Sequence, residues 1–348
     1  MAKQSGTAFI LVTMILIIII TAFIGTKIFF PLSPSDGQVL IRIKSGSSVK
    51  IIADSLARHG VISETKYFIL VTKIFGNSAK LKAGLFLLNK DLSPYQAMKR
   101  MVAGRAASIK VSIPEGYTVY EIASVFSRKL ESDSAKFVQL TRDKSFISSL
   151  GLNVISLEGY LFPNTYTFEW KTSEEEIIKT MVMEFNRNFN DSLKKEVIEL
   201  GWSPHQILTL ASIIEGEAMI DSERAIISAV YHNRLKRKIP LQADPTIQYI
   251  IPDGRPRRLL HRDLQIDSPY NTYRYAGLPP GPINNPGMKS ILAAIYPSPV
   301  DYLYFVAKGD GSHIFSTTLE KHLEAKAAFD ILRAKVNQRK KFTHRSLN

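Results

Sequence analysis

The sequence predicts an α+β protein in three parts: a single N-terminal transmembrane helix, a small βα module, and a larger mixed α+β domain. Three observations carry this. An uncharged apolar stretch lies near the start, a strand–turn–helix pattern occurs twice before residue 130, and the remainder alternates helical stripes with a proline-rich segment and a closing hairpin. At 348 residues the chain has room for about two domains beyond an anchor. Its 45% apolar and 22% charged residues are those of a globular protein rather than a disordered one.

Ala8 to Gly25 carries no charge and is rich in Ile, Leu, Phe and Val, and a spanning helix needs about 20 mostly apolar residues. The run exceeds a signal-peptide core and no small-x-small cleavage site follows it, so residues 8–30 read as a retained anchor. The head, residues 1–7, carries Lys3 and should stay in the cytoplasm, although Lys27 on the far side weakens the charge bias. The rest would then lie outside the cytoplasmic (inner) membrane. Residues 31–37, Pro31-Leu-Ser-Pro-Ser-Asp-Gly37, read as a linker lifting the first domain off the bilayer.

In the module, residues 38–105, alternation in Val39-Leu-Ile-Arg-Ile-Lys44 predicts a strand and the 3,4 spacing of Val49–Leu56 a helix. Ile43, Gly46, Val49, Ile52, Ala53 and Leu56 return as Ile113, Gly116, Val119, Ile122, Ala123 and Phe126, a repeated unit. The unit resembles the LysM module, which binds N-acetylglucosamine polymers; a generic βα packing unit without a ligand fits the pattern equally.

Residues 106–340 form the larger domain. Ser203-Pro-His-Gln206 fits a capping box with proline at the first helical position, and Ile207, Leu208, Leu210, Ala211, Ile213 and Ile214 follow on one broad stripe. From Leu241 to Pro286, prolines, tyrosines and turn pairs such as Asp253-Gly254 and Pro280-Gly281 predict irregular backbone. Tyr302-Leu-Tyr-Phe-Val-Ala307 and His313-Ile-Phe-Ser-Thr-Thr318 flank a turn as a hairpin, and a last helix runs from about Leu319 to Lys335.

The net charge of +14 asks for an acidic partner: nucleic acid, anionic lipid or an acidic wall polymer. Basic clusters at Arg234-Leu-Lys-Arg-Lys238 and Arg255-Pro-Arg-Arg258 join no zinc-finger, RRM or basic-zipper pattern, so no nucleic-acid partner is expected. Cysteine is absent, which excludes disulfides, thiolate metal sites and a cysteine nucleophile.

Glu215 and Glu217 close the long apolar helix, where a carboxyl is costly unless neutral or paired. Glu217 lies above Ile213 and Ile214, Glu215 above Ala211 and Ser212, which slightly favours Glu217 as a desolvated general acid; on spacing alone both read more readily as exposed positions at a helix end. Glycoside cleavage needs a second carboxylate about 5–10 Å away or help from the substrate. Asp221, Glu223, Asp244, Asp263 and Glu158 are candidates, and spacing selects none.

The ordered motifs resemble the MltG (YceG-like) endolytic murein transglycosylase family along nearly the whole chain beyond the anchor. They are Ile113-Pro-Glu-Gly116, Leu157-Glu-Gly-Tyr-Leu-Phe-Pro-Asn-Thr-Tyr166, Leu210-Ala-Ser-Ile-Ile-Glu-Gly-Glu217, Ser222-Glu-Arg224 and Tyr231-His-Asn-Arg-Leu235. Leu241-Gln-Ala-Asp-Pro-Thr246, Tyr270-Asn-Thr-Tyr273, Gly277-Leu-Pro-Pro-Gly-Pro282, Asn285-Pro-Gly287, Tyr302-Leu-Tyr-Phe-Val306 and His313 continue the series. The chain departs from the family pattern at Gly216, where a lysine is expected, and at Asn164, where an aspartate is.

The resemblance implies a catalytic glutamate at Glu217 that cleaves the MurNAc-β-1,4-GlcNAc bond of peptidoglycan with closure of a 1,6-anhydro ring. It implies peptidoglycan strands, the cell membrane, penicillin-binding proteins and other wall-synthesis proteins as partners, and neither cofactor nor metal. Glu158, Tyr160, Glu215, Asn233, Gln242, Asp244, Thr246, Asn271, Tyr273 and Asn285 are expected to line a saccharide cleft, since sugars are held by planar polar groups and aromatic faces; turn and cap roles compete for each. His313 is expected to hydrogen-bond within a loop. A non-catalytic wall-binding scaffold and a hydrolytic muramidase are the competing functions; the latter needs a water-activating carboxylate opposite Glu217.

Overall fold

A computed structural model describes residues 2–31, 37–104, 108–251 and 259–331. Its elements are α1 (Ala2–Phe29), β1 (Gln38–Ile43), α2 (Val49–Arg58), α3 (Thr65–Ile74), β2 (Gly84–Asn89), α4 (Pro94–Ala103), β3 (Ser108–Ser112) and α5 (Val119–Leu130). Then come α6 (Ser134–Leu140), α7 (Lys144–Ser149), β4 (Thr165–Glu169), α8 (Glu174–Asn188), α9 (Asp191–Glu199), α10 (Pro204–Glu217), α11 (Arg224–Lys236) and α12 (Asp244–Ile250). The chain closes with α13 (Met288–Ile295), β5 (Tyr304–Ala307), β6 (His313–Ser316) and α14 (319–331). The fold is mixed α+β with one N-terminal helix, Leu11–Phe29 within α1, long and apolar enough to cross a membrane.

Two compact units emerge, one of residues 1–110 with 167–172, the other of 111–166 with 173–348. The boundary expected at 105/106, the middle of the linker, and the Asp253-Gly254 turn lie outside the described residues.

In the first unit β1 and β2 pair antiparallel from Gln38↔Asn89 to Ile43↔Gly84. The two-residue period turns Ile41 and Ile43 inward onto Ile52, Leu56, Phe68, Val71, Met98 and Met101, while Leu40 and Leu87 stay outside. The end of α1 joins this core: Ile28 is 5% exposed within it and Ile24, one turn earlier on the same face, packs against it. The sequence predicts a domain held off the bilayer by a linker; instead the last turns of α1 are covered by that domain.

The repeat is present in the backbone. Gly46 and Gly116 turn with φ of 78° and 77°, a left-handed conformation that lacks steric cost only without a Cβ, and lead into α2 and α5, capped by Ser48 and Thr118.

In the second unit α10 is the central helix. Ile207 to Ile214 are all buried, as an interior helix requires, and α9, α11, α12 and α13 pack around it. Ser203 and Gln206 form the expected capping box, with Pro204 at the first position. The β5–β6 hairpin is shorter than its sequence pattern. Its register runs from Tyr304↔Ser316 to Ala307↔His313, because the Tyr302 and Leu303 carbonyls accept from Asn233 and Arg234 of α11.

Candidate active site

Glu217 is the last residue of α10, where helix carbonyls point outward and disfavour a negative charge. Tyr231, buried on α11, donates its hydroxyl to Glu217 Oε1 at 3.1 Å, and the backbone amide of Asp244, opening α12, donates to the same carboxyl. Burial, then the like charge of Asp244, push the Glu217 carboxyl up to about 7, against the two hydrogen bonds and Arg234, which favour the ionised form. Asp244 accepts the Tyr273 hydroxyl at 2.5 Å. Its approach depends on Gly216: a Cβ there would lie 2.6 Å from Pro245 Cβ, so α12 closes on α10 only because no side chain intervenes.

Glu217 and Asp244 together line two adjoining hollows, of about 360 and 450 Å³. The first is walled by Thr118, Glu121, Pro245, Tyr249, Ile283 and Asn284. Asn284 donates Nδ2 to the Ser212 carbonyl at 2.8 Å, and its buried Oδ1 has no partner among the described residues. The second is walled by Gln242, Tyr273, Phe305, Arg234, His313 and His322, with Lys326 at its edge. The His313 backbone amide and Nδ1 both bond Glu223, at 3.0 and 2.7 Å, which fixes the ring in the wall. His313 opens β6 rather than lying in a loop, and its hydrogen-bond partner is one of the acids the sequence left unassigned.

Glu215, two residues from Glu217, occupies a different environment. It pairs with Arg224 at 3.0 Å, both side chains being buried, and accepts the Gly287 amide at 3.0 Å. Arg224 also holds Asp221 and Ser290, so this carboxylate is a structural strut. The choice between the two acids therefore turns on the partner each meets.

Of the residues expected in a cleft, Glu217, Gln242, Asp244 and Tyr273 line the hollows. The others are satisfied by the fold. Asn285, fully buried, accepts from Leu161 N and donates to the Tyr117 carbonyl and Glu158; Glu158 also accepts from Val119 N, and burial raises its carboxyl to about 8. Asn271 donates to the Leu264 and Ile266 carbonyls, Thr246 bonds Ala243 and Thr272, and Asn233 holds the Val300 and Tyr302 carbonyls. Tyr160 bonds His205. Tyr231, Arg234, Glu121, Tyr249 and Asn284 were not singled out. Tyr231 and Arg234 lie inside a quoted motif three residues apart on one face of α11, which is the signal that could have found them. Among the described residues no group of His, Asp and Glu side chains could hold a metal ion.

The profile of the YceG-like family matches residues 41–328. The endolytic murein transglycosylase of Bacillus subtilis (strain 168) is 38% identical over 311 residues, covering 85% of this chain and 86% of that protein. That of Streptococcus pneumoniae (strain D39) is 29% identical over 324 residues, covering 83% of this chain but 58% of the longer relative. A crystallised yceG-like protein of Listeria monocytogenes is 36% identical with a TM-score of 0.60, covering 82% of this chain and 98% of that one.

Proposed function

The chain belongs to the YceG-like family, and from that premise we infer that it is an endolytic lytic transglycosylase that cuts peptidoglycan strands with Glu217. The observation that carries the reading is one carboxyl, raised to about 7, facing two hollows that a strand can occupy on either side of the scissile bond. The neutral acid donates its proton to the glycosidic oxygen of the MurNAc-β-1,4-GlcNAc bond as that bond breaks. The resulting carboxylate, held by Tyr231 and the Asp244 amide, accepts the proton of the muramic C6 hydroxyl as its oxygen closes on C1. Proton and electron pairs balance without water, and Glu217 ends as it began.

Gln242, Asp244 and Tyr273 supply polar and aromatic contacts to the sugars, and His313, with Nδ1 committed to Glu223, offers Nε2 as a further contact. α1 anchors the chain as a single span with its N-terminus in the cytoplasm, and the first unit acts as a LysM-like module that presents strands. Penicillin-binding proteins and other wall-synthesis proteins are the partners such an anchor would place nearby.

A second reading is favoured by one observation. Asp244 shares both hollows with Glu217, so its carboxylate can activate a water, which would make the enzyme a muramidase. Mass spectrometry of the soluble fragments from peptidoglycan separates these. Anhydromuramyl ends support the transglycosylase; ends heavier by one water, lost in Asp244→Asn, support the hydrolase; binding without fragments supports a scaffold.

A further inference from the structure

Around the foot of α1 the first unit carries a group of aromatic, aliphatic and lysine side chains, several of them largely exposed. Phe29, the last residue of the candidate span, meets the Tyr95 ring at 5.1 Å, and Tyr95 meets the Phe75 ring at 5.3 Å. Phe75 and its neighbour Ile74, ending α3, remain 46% and 64% exposed, and Phe30 is 66% exposed. Large apolar side chains grouped in this way mark a contact surface rather than the scattered exposure of an ordinary exterior.

The depth of this ring follows from the helix. The apolar run begins at Ala8 and α1 ends at Phe29, a stretch of about 33 Å at 1.5 Å per residue, which is enough to cross a hydrocarbon core of about 30 Å. Phe29 then stands near the outer border of that core, with the Tyr95 ring 5.1 Å from its own and the Phe75 ring 5.3 Å from that of Tyr95. Ile24, about 7 Å lower along the helix, still packs against the first unit. The unit therefore reaches below the border instead of hanging above it.

The charges fit the same surface. Lys27 lies over the Phe23 ring at 5.5 Å and Lys99 over the Tyr95 ring at 5.6 Å, while Lys73 sits in the last turn of α3. Glu64, which shares a hollow with Lys27 and Phe30, is paired with Lys66 at 2.7 Å. Aromatic rings with lysines at their rim are the composition that settles at a lipid headgroup layer, the rings among the upper acyl chains and the ammonium groups against phosphates.

We propose that the first unit is itself a membrane-surface module, with Phe30, Ile74, Phe75 and Tyr95 inserted in the interfacial layer of an anionic bilayer and Lys27, Lys73 and Lys99 against its headgroups. The proposal rests on the reading of α1 as a membrane span. It makes the module a fixed foot on the bilayer, so that it meets glycan only where strands leave the membrane.

The test uses the full chain in phosphatidylcholine–phosphatidylglycerol vesicles, with Trp170 and Trp202 replaced by phenylalanine and a single tryptophan reporter introduced as Phe75→Trp or Ile17→Trp. Lipids brominated high or low on the acyl chain read its depth. The expected result is quenching of the Ile17→Trp reporter by deep bromines and of the Phe75→Trp reporter by shallow ones, the latter with a blue-shifted emission. If the Ile17→Trp reporter is quenched and the Phe75→Trp reporter is not, the anchor stands and the proposal is overturned. If neither is quenched, the span reading has failed and the proposal falls with it.

Discussion

Two residues apart on one helix, Glu215 and Glu217 differ through their neighbours. An arginine fixes the first as a strut, whereas a tyrosine hydroxyl, an amide and a nearby aspartate leave the second with a carboxyl raised to about 7. Catalysis starts from the protonated form, so kcat/KM should hold below about 7 and fall tenfold per pH unit above it; a rate–pH profile on defined strands checks this. Glu158 gives a stability prediction of the opposite kind. Its carboxyl is raised from 4.5 to about 8, so the folded state keeps a proton that the unfolded chain releases. Stability from this group is complete below pH 4.5 and is lost as pH rises towards 8, with Glu217 adding to the loss up to about 7. Glu158→Gln, which keeps an acceptor for Val119 and Asn285, should flatten much of the decline in melting temperature across that window.

The close approach of α12 to α10 brings Asp244 to Glu217, and Gly216 permits it. Gly216→Ala should force Pro245 outward, costing about 1–3 kcal/mol and lowering kcat on the order of tenfold to a hundredfold as Asp244 and its amide move away. Thermal melts and initial rates read the two effects separately. Local patterns made the elements legible: the capping box at Ser203, the 3,4 stripe of α10 and the repeated glycine turn all lie within a few residues of sequence. The site was legible only in part. Asn285, Asn271, Thr246 and Asn233 carry the side chains that bind sugars elsewhere, yet here Asn285 and Asn233 hold the distant Tyr117 and Val300 carbonyls, Asn271 and Thr246 bond backbone three to seven residues away, and no local pattern distinguishes these uses. The separation of Glu215 from Glu217 likewise came from Arg224 and Tyr231, on a later helix.

For the molecule as a whole, α1 and the first unit share a core, so they stand or fall together. Ile28→Ala should destabilise the first unit by about 2–5 kcal/mol while the α10-centred unit keeps its own transition, which limited proteolysis followed by mass mapping would resolve. Removing residues 1–31 should have a larger effect of the same kind, since Ile24 and Ile28 both leave the core. In the proposed mechanism one carboxyl, facing a cleft, performs both proton transfers. The most direct test is to incubate the full-length chain, wild type and Glu217→Gln, with peptidoglycan and weigh the released fragments. Anhydromuramyl ends from the wild type and no fragments from Glu217→Gln are predicted; fragments from Glu217→Gln at a rate near that of the wild type would contradict the account.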